Sequence, residues 1–263
     1  EELAQSPYAR FYNPELEALQ PQVAEALLVG PQAHELFPSA AEAASMIEPG
    51  YWPVETGYAR PPDGSIRVFC LTKMPKVTPQ MWDWWFGWHG CEAQRYKLWH
   101  PKAHVNAQWA DGRSDESYIG RTSHITEYLG PKLARGAIGF VPPSVMGFDE
   151  ARVAAQGEVV IFARVGMPGA PLKAGWLLHQ LRPVEGGSEM RSRMWMGGEN
   201  VALGDKPGPL GRGLARGLRP VAGKLLPSPE DLLVHNAQEM SHLAGFLPEL
   251  FETFGAAYRE RRT

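Results

Sequence analysis

Between Ser65 and Met196 the chain repeatedly alternates apolar and polar residues with the period of two that marks a half-buried strand. This pattern predicts strands at Ser65–Leu71, Ala103–Trp109, Tyr118–Tyr128, Ala137–Val141, Glu158–Val165, Gly175–Arg182 and Glu189–Met196. The Glu185-Gly186-Gly187 turn between the last two points to antiparallel pairing. Helical signals flank this region. Thr78-Pro79 supplies an N-cap and a first-position proline for a helix over Pro79–Trp88. Ser228-Pro229-Glu230-Asp231 opens a long C-terminal helix with acidic residues in its first turn, expected to bend or break near Gly245 and Pro248. The Gly-, Pro- and Arg-rich stretch Lys206–Pro227 reads as a loop. Many antiparallel strands followed by one long helix predict an α+β fold, a curved sheet gripping the helix with a cavity between them.

Ahead of this pattern the periodicity is short and interrupted. Helices are expected at Pro14–Leu19, Pro21–Leu28 and Ser39–Ile47, and the Pro- and Gly-rich run from Pro49 to Gly64 continues none of them. The expected division is a helical arm over residues 1–62 and a main domain over residues 63–263.

Composition narrows the function. The chain has 263 residues, 44% of them hydrophobic and 21% charged, enough for a large core. With a net charge of −3 and no basic block beyond the terminal Arg259, Arg261 and Arg262, a nucleic-acid partner is not expected. No apolar run is long enough for a membrane span, and the polar start Glu1–Ser6 has no signal-peptide character, so no membrane partner and a cytoplasmic location are the expectations. Cys70 and Cys91 lack metal-motif spacing and read as two buried thiols. Nine tryptophans stand out, with Trp82, Trp84, Trp85, Trp88 and Trp99 close together, and they imply a pocket or core to fill.

Candidate chemistry begins on the C-terminal helix. His235 and Glu239 lie one turn apart on one face, with His242 near the same stripe as Leu232 and Leu243. A carboxylate turned toward a core needs a partner or a metal; an exposed Glu–His contact is the plainer alternative. Strand alternation puts His104, Asn106 and Gln108 on one face, and His124, Thr126 and Tyr128 opposite Ser123, Ile125 and Glu127. Two His and two Glu from two strands and a helix can converge on one ion, and nitrogen and oxygen donors without thiolate suit zinc, with manganese or iron as alternatives. His100 and His242 remain alternative ligands. No HExxH pattern is present.

The block Trp82-Asp83-Trp84-Trp85-Phe86-Gly87-Trp88-His89, followed by Arg95-Tyr96-Lys97-Leu98-Trp99-His100-Pro101-Lys102-Ala103-His104, resembles the 2,4-diacetylphloroglucinol hydrolase and phloretin hydrolase family, and the His235/Glu239 pair fits its C-terminal helix motif. The similarity runs from about Ser65 onward and is weaker in the arm. It implies a Bet v 1-like helix-grip fold and a zinc-dependent hydrolase, with one zinc per chain, cleaving the carbon–carbon bond between an acyl group and a polyphenol ring. The implied metal ligands are His104, Glu127, His235 and Glu239. His104 takes precedence over His100 because Tyr96 then falls at the family's spacing. Tyr96 and His179 are the implied catalytic groups, and Tyr96, His179 and Asn106 the substrate contacts. The resemblance also implies a homodimer through the arm. The chain departs from the family near Met194, where a substrate-binding tyrosine can stand; Met190, Met194 and Met196 here point to a more apolar substrate.

The chemistry expected of such a site is coherent. An acylated phloroglucinol ring can tautomerise to a β-diketone, so that protonation of the acyl-bearing ring carbon makes the ring a leaving group. A metal supplies Lewis acidity toward the acyl carbonyl and the attacking water. Two other readings compete: a same-fold metal hydrolase of another β-diketone-like compound, and a non-catalytic helix-grip carrier of apolar ligands, which predicts no stoichiometric metal.

Overall fold

The computed structural model describes residues 3–115, 117–204 and 209–260. The arm holds one regular helix, α1 (Pro21–Val29), and a 3-10 segment at Ala40–Ile47 closed by a capping box between Ser39 and Glu42. Residues 14–19 are not helical: two prolines bracket a stretch too short to nucleate a helix. The chain then forms β1 (Gly57–Ala59), β2 (Ile66–Pro75), α2 (Pro79–His89), α3 (Ala93–Trp99), β3 (His104–Trp109), β4 (Thr122–Leu129), β5 (Lys132–Val141), α4 (Glu150–Ala155), β6 (Val159–Gly166), β7 (Leu172–Val184), β8 (Gly187–Met196), β9 (Ala202–Leu203), α5 (Pro209–Leu225), α6 (Pro229–Phe254) and α7 (Ala256–Glu260).

The strands make one antiparallel sheet in the order β1-β2-β8-β7-β6-β5-β4-β3, with β9 beside β7. The β7–β8 hairpin closes at Val184↔Gly187 through Glu185-Gly186, as the sequence implies. The inner face holds α6, α2 and α3; Met240, Leu243, Leu247 and Leu250 of α6 pack with the tryptophans of α2 in one core. Since α2 buries Trp82, Trp84, Trp85, Phe86 and Trp88, it is apolar nearly all round, which a helix sustains only when enclosed. The outer face of β2, β6, β7 and β8 is covered by the arm, where Phe37, Met46, Phe69, Phe162 and Trp195 form a second core. The result is a helix-grip arrangement, with α6 held in the concave face of the sheet.

Three expectations require correction. Within the expected loop Lys206–Pro227, residues Pro209–Leu225 are not loop. They form helix α5, which rests on the protein through buried Ala215 and Ala222; Lys206–Gly208 fall outside the described residues. This tertiary seat overrides the low helix propensity of its glycines and of Pro220. Helix α6 runs unbroken through Gly245 and Pro248. Packing of Leu243, Leu247, Leu250 and Phe251 on both sides of the proline offsets the missing N–H. Finally, Cys91 is only partly buried, its Sγ 3.2 Å from the Ser114 carbonyl oxygen, while Cys70 is fully buried.

Candidate metal centre

The site assembles where α6 crosses the β3–β4 hairpin. Ser228 caps α6 by accepting from the Asp231 amide at 3.1 Å, and two turns on the helix turns His235 and Glu239 inward. In the sheet, His104 is the register partner of Glu127, so the first residue of β3 and the inward face of β4 arrive side by side. Four atoms meet. His104 Nε2 lies 3.4 Å from His235 Nε2, 3.5 Å from Glu127 Oε2 and 3.5 Å from Glu239 Oε2. His235 Nε2 lies 3.7 Å from each of the same carboxylate oxygens. Zn–N and Zn–O bonds of about 2.0–2.2 Å in a tetrahedron place donor atoms about 3.3–3.6 Å apart. The five separations made by the two imidazoles, 3.4–3.7 Å, are close to that spacing, so His104, Glu127 and His235 could hold one ion with Glu239 beside them.

The ring orientations support the same fit. His104 Nδ1 is 3.0 Å from the carbonyl oxygen of Tyr96 and so carries the proton, which leaves Nε2 as a lone pair. Burial holds His104 at about 3 and His235 at about 4, so both imidazoles are neutral at pH 7. Burial, with Glu127 adding to it, pushes Glu239 up to about 8. Lone pairs and carboxylate oxygens facing one another are repulsive unless a proton or a cation sits among them, and the raised Glu239 carboxyl shows the proton taking that place where there is no cation. Among the described residues, His104, Glu127 and His235 are the group of three with ligand atoms within 4.8 Å of one another; Glu239, outside that group, lies 3.5 and 3.7 Å from the two imidazoles.

Tyr96, from α3, stacks on His104 with ring centroids 3.8 Å apart and donates its hydroxyl to Glu127 Oε2. Burial, then the Glu127 charge, raises its pKa well above the ordinary phenol value, so it remains a proton donor. Two adjoining chambers meet at Glu127. The inner one, about 100 Å³, is lined by Tyr96, Ser123, Glu127, His179, His235 and Glu239 among aromatic rings. The outer one, about 200 Å³, is almost wholly aliphatic and shares Ile125, Glu127, Ile138, Leu177, Met194 and Leu232 with the first. His179 stands on β7 with Nδ1 2.8 Å from Ser192 Oγ, and burial depresses it to about 3.

With this geometry in place, comparison with known proteins decides the family. The sequence profile described as DAPG hydrolase PhiG domain matches residues 36–252. The chain belongs to the DAPG hydrolase family. Family relatives include the 2,4-diacetylphloroglucinol hydrolases of a Pseudomonas sp and of Pseudomonas protegens, each 30% identical over 95% of this chain and covering 88% and 85% of the relatives. The phloretin hydrolase of Eubacterium ramulus is 28% identical over 74% of this chain and 70% of that enzyme. Among solved structures, Ara h 8.0201 matches at 13% identity with a TM-score of 0.39, covering 70% of this chain and 97% of that one. Human STARD10 matches at 11% identity and 0.39, covering 85% and 84%.

Within this member of the family, the remaining sequence candidates divide. Met194 lines both chambers, but Asn106 lines neither. A β-bulge between His104 and Asn106 inserts one residue, so His104, Ala107 and Trp109 face inward and the expected His104–Asn106–Gln108 face does not exist. His100 stacks on His235 at 4.9 Å while its Nε2 meets Gln238 Oε1 at 3.3 Å, and His242 packs against Phe246; neither joins the four-atom cluster. Two inner-chamber residues escaped the sequence reading. Ser123 is buried with no hydrogen-bond partner for Oγ among the described residues, and its place on the Glu127 side of β4 was the available signal. His89 has Nδ1 2.8 Å from the Trp85 carbonyl and had no signal apart from its position in the Trp block.

The buried charges give the metal-free protein a defined pH response. A carboxyl whose folded pKa is raised stabilises the fold at low pH, and that contribution is lost as pH rises from the ordinary value of 4.5 toward 8. The two depressed imidazoles act in the opposite window, contributing above 6.5 and failing as pH falls toward 4. A bound cation cancels the Glu239 penalty. The gap in Tm between cation-loaded and chelated protein is therefore expected to widen from pH 6 to pH 8.5. Paired thermal melts across that range measure it; a gap that narrows with rising pH contradicts the assignment of Glu239.

Proposed function

We propose that the chain is a zinc-dependent hydrolase that cleaves the carbon–carbon bond joining an acyl group to a phloroglucinol-type ring. The observation that carries this reading is the convergence of His104, Glu127, His235 and Glu239 at the junction of a polar and an apolar chamber, in a family whose relatives are named for acylphloroglucinol hydrolysis. Those four side chains would hold the ion. Nitrogen donors favour zinc over magnesium or calcium, which prefer all-oxygen sets. When bound, it supplies Lewis acidity toward a carbonyl oxygen and makes a water more acidic.

The chain's own groups supply the rest. In the hydrolysis, water gives its hydroxyl to the acyl carbon and its second hydrogen goes to the ring carbon, yielding a carboxylic acid and the deacylated ring. Tyr96 holds a proton on Oη beside Glu127, and Glu127 is placed to receive one. Neutral His179, oriented by Ser192, can donate to a ring hydroxyl or pass a proton to the ring carbon. The surrounding Trp, Phe and Ile side chains exclude bulk water from the developing enolate.

Incubation with diacetylphloroglucinol or phloretin is expected to release the corresponding acid, to stop on chelation and to resume with zinc. An analogue with its ring hydroxyls methylated cannot tautomerise and is expected to bind without reacting. Its cleavage at an undiminished rate would rule out the mechanism. Elemental analysis is expected to give about one zinc per chain, as a single four-ligand site requires.

A further inference from the structure

Resting on the hydrolase reading above, we infer that the outer chamber is an acyl-chain subsite, and that the preferred substrates carry a linear apolar acyl group of about six carbons. The scissile carbonyl has to lie at the Glu127 junction, so the two halves of a substrate extend to either side of it. At about 100 Å³, the inner chamber takes the hydroxylated edge of the ring, the rest lying at the junction. It offers polar partners for the ring hydroxyls, namely Tyr96, His179 and buried Ser123, whose hydroxyl has no partner among the described residues. The outer chamber offers almost none. Beyond Glu127 and Arg135 its walls are aliphatic, including Leu129, Val165, Leu172 and Ala174, and it is roofed by Ala222 of α5 and by Leu226.

Size decides what fits there. An aliphatic cavity of about 150 Å³ stays dry and takes a benzene-sized guest. The outer chamber, at about 200 Å³, accommodates a chain of that carbon number, whereas an acetyl group leaves most of the wall without contact atoms. Met194 at the junction fits the same occupant, since a thioether packs along an alkyl chain and offers it no hydroxyl.

The test is a series of monoacylphloroglucinols from acetyl to decanoyl, assayed with the zinc-loaded protein. Each methylene buried is worth about fourfold in kcat/KM, so hexanoyl is expected to exceed acetyl by on the order of 100-fold, with a decline at decanoyl. Ala174→Phe and Ala134→Phe fill the chamber from two different strands and are each expected to collapse the hexanoyl-to-acetyl ratio toward one. Melting curves establish which variant is folded, and either suffices. In parallel, binding of the ring-methylated ketones of the same chain lengths is measured calorimetrically. Acetyl turnover with a flat chain-length profile overturns the subsite and leaves the hydrolase reading standing. If no acylphloroglucinol is hydrolysed, the hydrolase reading fails, and the calorimetric series decides the chamber alone. Affinity rising with chain length and abolished in the Phe variants upholds it, and length-independent binding overturns it.

Discussion

Replacing Glu239 or His235 with alanine is expected to remove metal and turnover together. Both side chains project from one face of α6, and their ligand atoms stand within 3.7 Å of one another. Loss of a group that merely supports a metal ligand weakens binding by about 10–100-fold; loss of a ligand itself is expected to exceed that range. The two variants should differ in one respect. Glu239→Ala also deletes the carboxyl that burial holds near 8, so its metal-free form is expected to melt above the chelated wild type at pH 8. His235→Ala leaves that carboxyl in place without one of its two neighbouring imidazoles and is expected to melt below it. His242→Ala is the control: it packs against Phe246 outside the cluster and is expected to keep metal content and activity. Retained metal in Glu239→Ala with metal lost in His242→Ala would reverse the ligand assignment on this helix.

The largest effect on stability is expected far from that cluster, at Glu55. This residue precedes β1 and reaches over the outer face of the sheet to two arginines of β8. Its carboxylate takes Arg191 Nη2 at 2.6 Å and Nε at 2.9 Å, and also binds Arg193 Nη2. The arginine side chains are essentially inaccessible, at 1% and 0% exposure, so the carboxylate is the charge that makes their burial tolerable. Burial pulls Arg193 down to about 10, against the raising effect of Glu55. Glu55→Ala leaves two guanidinium groups without their counter-charge, a change that costs about 3–5 kcal/mol for buried pairs. At about 2–4 °C per kcal/mol for a chain of this size, Tm is expected to fall by roughly 10 °C. Differential scanning calorimetry measures it. Glu48→Ala, which breaks an exposed pair with Arg152, is the comparison and is expected to leave Tm nearly where it was. Equal shifts in the two variants would remove the buried triad as the reason.

The regular parts of this fold were readable because their physics is local. Strands β2 and β4–β8 carry period-two patterning, and α2 and α6 carry caps and first-turn prolines that no tertiary contact has to supply. The inward placement of Glu127 with Ser123 and Ile125 followed from the same alternation. What was hidden depends on contacts distant in sequence. Helix α5 is decided by where Ala215 and Ala222 sit, not by its glycines. Asn106 was misplaced because a bulge adds one residue to a strand with no sequence mark at that point. The Glu55–arginine cluster joins residues well over 100 positions apart, and nothing in the spacing of either partner announces it.

That bulge in β3 also bears on how molecules of this protein meet. β3 ends the sheet, and a terminal strand normally offers a regular row of free amides and carbonyls to which another chain can add. The extra residue after His104 breaks the repeat at one end of the strand, while α3 packs beside it. Removing Val105 would restore an even backbone while keeping His104, Ala107 and Trp109 on the inward face, since strict alternation from His104 then reaches both. A deletion that leaves the inward-facing wall intact would thus remove the kink that guards this margin and open a regular edge on which strand-to-strand aggregation can start.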